Sequence, residues 1–165
     1  MSLDSNGSLF TVGSGVTLVL DNNVTLLGRD TNNVPLITVS GGSLEMKTGS
    51  KISGNATHEG GGVEAAYGST FTMSGGEISG NTATSLGGGV CVENGAFTKQ
   101  GGIIYGSDAD GGLRNTASNN NKGHAVYVYP SGTKRNTTAG EGVTLDSAKS
   151  GAARFMDRRL SVVQL

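Results

Sequence analysis

Apolar residues recur along this chain in short alternating runs, and the runs themselves repeat about every 26 residues. Phe10, Ile37, Val63, Val90 and Val126 share one register, at steps of 27, 26, 27 and 36. Two residues later, Val12, Val39, Ala65, Val92 and Val128 share another, with Thr11, Thr38, Glu64, Cys91 and Tyr127 between the two. Strand side chains alternate between faces, so the apolar registers predict a common interior and the mixed register an outer face. A second column puts Leu18, Leu44, Phe71 and Phe97 inward, followed two places on by Leu20, Met46 and Met73. Lys99 breaks that column, either by snorkelling at a strand end or through a slip of register. In a third column Leu26, Ile52, Ile78 and Ile104 face in, while Thr25, Lys51, Glu77 and Ile103 face out. Lys51 and Glu77 are then stacked neighbours of opposite charge.

Glycines punctuate the runs at the same interval. Gly54, Gly80 and Gly106 are 26 apart, and Gly41-Gly42, Gly75-Gly76 and Gly101-Gly102 mark further bends. A fixed period carried by single residues predicts stacked coils, each one turn of a solenoid. Hairpin-linked antiparallel sheets would not return the inward columns at a constant spacing. The expected fold is therefore all-β: a single-stranded right-handed parallel β-helix of about five coils, with three short strands per coil. Five coils at roughly 4.8 Å each make a stack about 24 Å long. Asn55 and Asn81, one coil apart, are placed to form a ladder of side-chain amides.

The solenoid is expected over residues 9–145, with residues 1–8 as an N-terminal segment or a vector-derived start. Residues 107–121 interrupt the period and read as a loop inserted in a bend, after which Asn115-Thr116-Ala117 repeats Asn81-Thr82-Ala83. The fifth coil resumes at Gly123, although its middle, 133–138, is polar. From Asp146 the repeat stops. Ala152, Phe155, Met156, Leu160 and Val163 could share a helical stripe, so 146–165 reads as a capping or disordered tail.

Composition narrows the function classes. Glycine fills 29 of 165 positions against a usual share of about 7%, and only two prolines are present, which excludes collagen and proline-rich linkers. A net charge of −1 without excess Lys or Arg argues against binding a phosphate backbone, so no nucleic-acid partner is expected. No apolar run approaches 18 residues, hence no membrane span is expected. One cysteine permits neither an internal disulfide nor a cysteine-based zinc site, and no cofactor is expected.

The segments Phe71-Thr72-Met73-Ser74-Gly75-Gly76-Glu77-Ile78-Ser79-Gly80-Asn81-Thr82-Ala83 and Gly87-Gly88-Gly89-Val90-Cys91-Val92 resemble the right-handed parallel β-helix repeats of bacterial adhesin-like surface proteins. The resemblance spans roughly residues 36–145. It implies a secreted or surface-displayed stalk, extracellular or at the cell surface, often one piece of a longer chain. The same fold serves polysaccharide lyases and polygalacturonases, so function has to be argued from the side chains.

Several side chains are candidates for chemistry. Glu64 and Glu93 lie on neighbouring coils, offset by two residues, which puts them on the order of 8 Å apart. Inverting glycosidases hold their carboxyls about 6.5–9.5 Å apart, so this pair is a candidate acid and base. Asp108 and Asp110 in the inserted loop are candidate calcium ligands, although their spacing is not that of an EF-hand. Tyr127 and Tyr129 share one outward strand face and are candidates for stacking on sugars or anchoring a protein. Cys91 reads as an exposed but unactivated thiol, because its outward neighbours are acidic and aromatic. His124 reads as a surface histidine, and His58 as a bend residue. Outward Thr pairs such as Thr72 and Thr98 are too few for a lattice-matching, ice-binding face. The expected function is a non-catalytic structural or adhesive module, with a host glycan, a matrix protein or further repeats of the same chain as partners. The alternative is a carbohydrate-active enzyme working from an outer face.

Overall fold

A computed structural model describes residues 1–106, 109–118 and 123–129 with side chains, and strands Thr133–Thr138 and Glu141–Thr144 as backbone. The chain winds as a parallel β-solenoid. The first coil holds β1 (Phe10–Val12), β2 (Thr17–Leu20) and β3 (Thr25–Leu27). The second holds β4 (Ile37–Ser40), β5 (Ser43–Met46), β6 (Lys51–Ser53) and, in the bend, β7 (Ala56–Glu59). In the third are β8 (Val63–Ala66), β9 (Thr70–Met73), β10 (Glu77–Ser79) and β11 (Thr82–Leu86); in the fourth, β12 (Val90–Glu93), β13 (Ala96–Lys99), β14 (Ile103–Ile104) and β15 (Thr116–Ala117). Strands β16 (Val126–Val128) and β17 (Thr133–Thr138) start another turn, and β18 (Glu141–Thr144) returns antiparallel on β17. Four coils are thus complete, and among the described residues the turn after them carries β18 antiparallel on β17 where a fifth parallel coil was expected.

The three predicted columns are sheets, ordered β1-β4-β8-β12-β16, β2-β5-β9-β13-β17 and β3-β6-β10-β14. Their registers match the period, as in Ile37↔Val63, Val90↔Val63, Val90↔Val126 and Ile52↔Leu26. Inward residues Ile37, Val39, Leu44, Met46, Ile52, Val63, Phe71, Met73, Ile78, Val90 and Ile104 are sealed from water. Each contributes about 1.5–3 kcal/mol by leaving solvent. Phe71 and Phe97 stack with centroids 4.9 Å apart. Outside, Lys51 Nζ lies 2.8 Å from Glu77 Oε1, and that contact helps to hold the Glu77 carboxyl below its ordinary range.

A fourth sheet, β7-β11-β15, follows the third column in the bend. Its strands are two to five residues of mainly Thr, Ala and Ser, too short and too polar to stand out from a bend. Just before it runs the asparagine ladder, longer than predicted: Asn32, Asn55, Asn81 and Asn115 stack in four successive coils. Asn32 Nδ2 donates to Asn55 Oδ1 (2.8 Å), Asn55 N–H to Asn81 Oδ1 (3.1 Å), and Asn81 N–H to Asn115 Oδ1 (2.9 Å). Gly80, immediately before Asn81, has φ +65°, a left-handed conformation that glycine adopts without a steric penalty.

The first nine residues belong to the stack. Leu27 N–H donates to Met1 O, Leu3 N–H to Leu27 O and Leu9 N–H to Leu36 O, and Asn32 exchanges bonds with the backbone of Gly7. The inserted segment adds eight residues between Ile104 and Asn115, relative to Ile78 and Asn81. Its described part holds a 3-10 turn at Gly111–Leu113. The stripe expected in the tail lies outside the described residues.

Lys99 keeps register with Met73, so the frame does not slip. Its side chain takes a core position and is only 5% exposed. No carboxylate pairs with it among the described residues. Loss of hydration lowers the ammonium pKa from 10.5 to about 8. The unfolded chain keeps the proton to the ordinary lysine range, so the folded state gains stability as pH rises from 8 to 10.5 and carries the full penalty below pH 8. Lys99→Met is expected to raise stability at pH 7 by about 1–2 kcal/mol and to flatten that pH dependence, as read by urea melts.

Candidate functional site

The richest group of titratable and aromatic side chains lies on the outer face of the first sheet, where the bend strands fold against it. Register places Thr11, Thr38, Glu64, Cys91 and Tyr127 in one outward row. Ser40, Ala66 and Glu93 form the next row, with Tyr129 continuing it. The neighbouring sheet brings Glu59 from the end of β7 and Leu86 from the end of β11.

Leu86, Cys91 and Tyr127 pack together and Tyr129 closes over them. Cys91 is therefore fully buried, which corrects the expectation of an exposed thiol. Period-two alternation correctly puts it on the outer face of its strand; that face is covered by Tyr127 of the next coil and by Leu86 from the bend sheet. Burial, and then the charges of Glu59, Glu64 and Glu93, push the thiol far above its ordinary range. Native protein is expected to resist an aromatic disulfide reagent such as DTNB, with Cys91 titrating fully only in denaturant. Fast reaction of the folded chain would contradict this packing.

The two candidate tyrosines do come together, with ring centroids 5.1 Å apart at 82°, an edge-on pair. Tyr127 is only 7% exposed, however, so it offers no open face to a sugar. The Tyr129 hydroxyl donates to Glu59 Oε2 at 3.0 Å, and burial followed by this bond raises the phenol pKa. On its other oxygen Glu59 lies 3.7 Å from His58 Nδ1, which gives the bend histidine a partner. Among the described residues the large aromatic that does project from the surface is Tyr67, 64% exposed and held at φ +31° beside Glu93.

Glu64 is half-buried, and its carboxyl is raised above the ordinary range, chiefly by burial and then by Glu93 and Glu59. A carboxyl that keeps its proton longer than usual, next to others, is the arrangement a general acid needs. Glu93 stands opposite Ala66, two places along from the Glu64–Cys91 pair, as the period predicts. The sequence offers no sign of Glu59, because its register partner one coil on is Leu86.

Of the two loop candidates only Asp110 is described, and it lies at the surface before the 3-10 turn, which its side chain does not cap; Asp108 lies outside the described residues. Among the described residues no three His, Cys, Asp or Glu side chains gather closely enough to hold a metal ion. His124 is half-buried rather than on the surface, and its Nδ1 accepts the Ala117 N–H at 2.9 Å. No described helix is long and apolar enough to cross a membrane. No family model, curated protein or solved structure matches this chain.

Proposed function

We propose that this chain is a non-catalytic structural or adhesive module of an extracellular or cell-surface bacterial protein. The observation that carries this reading is where the polar chemistry goes. Asn32, Asn55, Asn81 and Asn115 bond one coil to the next, Tyr129 bonds to Glu59, and Cys91 is sealed beneath Leu86 and Tyr127. Side chains of the kinds that elsewhere do chemistry are here used to hold a rod together. Placement outside the cell follows from the repeat's resemblance to adhesin-like proteins. A host glycan or matrix protein is the expected partner, and Tyr67 supplies an exposed aromatic for such a contact.

One observation favours a second reading, a carbohydrate-active enzyme. The raised Glu64 carboxyl beside Glu93 fits an acid and base pair. The test incubates the chain and Glu64→Gln with a panel of polysaccharides and measures released reducing or unsaturated ends. The adhesive reading expects no release from either protein and retention on a glycan or matrix-protein array that Tyr67→Ala weakens. Release abolished by Glu64→Gln would replace it with the enzymatic one. Independently of activity, the raised pKa means that Glu64 costs stability once ionised, an effect absent below the ordinary glutamate range. Glu64→Gln is therefore expected to stabilise the fold at pH 7.

A further inference from the structure

Four asparagines open an Asn-x-Ser/Thr triplet, the acceptor pattern for N-linked glycans: Asn6, Asn23, Asn55 and Asn136. Side chains are described for the first three, and their surroundings differ. Asn6 and Asn23 have an aspartate two places ahead, Asp4 and Asp21, whereas Asn55 has Ser53 and Asn136 has Lys134. Asn55 is a rung of the ladder, 1% exposed, and both its amide hydrogens are used, on Val34 O at 2.9 Å and Gly61 O at 2.7 Å. At Asn6 the hydroxyl that completes the triplet is engaged, since Ser8 Oγ donates to Pro35 O at 2.7 Å.

Asn23 is free in both respects. It lies in the turn from β2 to β3, closed by Val24 N–H on Asp21 O at 3.2 Å. Its φ of +63° is a left-handed conformation that asparagine adopts more readily than most residues. Asp21, Asn22, Asn23 and Thr25 are all exposed, and among the described residues nothing bonds to the Asn23 side-chain amide or the Thr25 hydroxyl. Asp21 Oδ1 accepts the Asn22 N–H at 2.7 Å, and Oδ2 lies 3.8 Å from Lys47 Nζ, so the carboxylate stays at the surface. The exposure belongs to the bend and not to the end of the stack. In register one coil on are Thr48 and Gly49, which have a coil on either side and are exposed as well.

We propose that Asn23 is an N-glycosylation site, modified with an oligosaccharide carried on a polyprenyl pyrophosphate. Asn23 Nδ2 attacks the anomeric carbon of the sugar, and the bond from that carbon to the pyrophosphate oxygen breaks. The polyprenyl pyrophosphate leaves with the electron pair, and the amide gives up one proton to a base of the transferase. The free Thr25 hydroxyl is the group a transferase reads at the third place of the triplet, and Asp21 adds a carboxylate for one of its basic side chains. A glycan on this corner leaves the rod sideways and crosses no bond between coils. The proposal rests on the extracellular bacterial reading above, because such transfer takes place outside the cytoplasm.

The test incubates the folded 165-residue chain with a purified bacterial oligosaccharyltransferase that demands an acid two places before the asparagine, together with its lipid-linked oligosaccharide, and reads the intact mass. The expected result is the added mass of one glycan, mapped by peptide analysis to Asn23. Asn23→Gln is expected to lose it, and Asn23→Gly, which suits the turn's φ, guards against a glutamine that strains the fold. Asp21→Ala is expected to lose the modification while its urea melt stays that of the parent. An unchanged mass overturns the proposal, as does a glycan on Asn6 or Asn55 in place of Asn23, or an Asp21→Ala chain modified as fast as the parent. The assay supplies its own enzyme and donor, so its outcome is separate from the surface reading, which stands or falls on the polysaccharide panel and the binding array.

Discussion

Gly88→Ala is expected to remove more than about 4 kcal/mol of stability, enough to abolish a cooperative unfolding transition. The reason is backbone packing rather than backbone conformation. A β-carbon on Gly88 would overlap the carbonyl oxygen of Thr116, and it would stand 2.6 Å from that of His124. Gly61, its counterpart in the coil before, faces the Gly88 carbonyl in the same way. Main chain meets main chain here, so no rotamer change relieves the clash and the coils would have to separate. Separation breaks Gly88 N–H to Gly123 O and Gly89 N–H to His124 O, which tie this coil to the next. Circular dichroism with urea melts checks the outcome; a variant within 1 kcal/mol of the parent, roughly the size of an exposed glycine effect, would show that the coils are not this close.

Asn81→Ala is expected to cost about 3–4 kcal/mol, by leaving several buried groups without partners. Asn81 is sealed from water. Its Oδ1 accepts the Asn55 N–H at 3.1 Å, and its Nδ2 donates to Asn115 Oδ1 at 3.0 Å and Ser79 O at 3.1 Å. Truncation orphans an amide on the coil before and a carbonyl in its own coil, and leaves a void between them. Asn81→Asp separates these contributions, since it keeps the acceptor for Asn55 but loses both donors and buries a charge. It is expected to be at least as damaging at pH 7 and to recover partly in acid, where the carboxyl takes up a proton and becomes a donor. Urea melts at pH 7 and pH 4 read the difference.

What the chain discloses before folding is its axial order. Ile52 lies over Leu26, Val90 over Val63 and Lys51 beside Glu77 because a strand's alternation and a constant coil length are both visible in the order of residues. Asn55 and Asn81 are legible for the same reason, whereas Asn32, only 23 residues before Asn55, is hidden by a shorter first bend. Lateral order is less visible. Cys91 and Tyr127 point outward from their own strands and lie in register, but Leu86 from the bend sheet packs on them, and no period relates that sheet's side chains to theirs. The site therefore differs from its sequence outline: Glu64 and Glu93 keep their places, Glu59 joins them unannounced, and the tyrosines turn from a binding face into packing. The return of β18 on β17 also has no axial signal, because a polar stretch can continue the stack or fold back along it.

Disulfide trapping across neighbouring coils tests the register directly. Thr72 and Thr98 are partners in adjacent strands β9 and β13, and half-exposed, so cysteines there in a Cys91→Ala background have the separation a disulfide spans, about 4.4–6.8 Å between Cα atoms. Thr72 and Ala96 face the same way but are offset by two residues, at about 8 Å, beyond that reach. The stacked arrangement predicts rapid intramolecular bridging of the 72–98 pair and little of the 72–96 pair, in folded protein at low concentration. Equal bridging of both, or faster bridging of the offset pair, would contradict it.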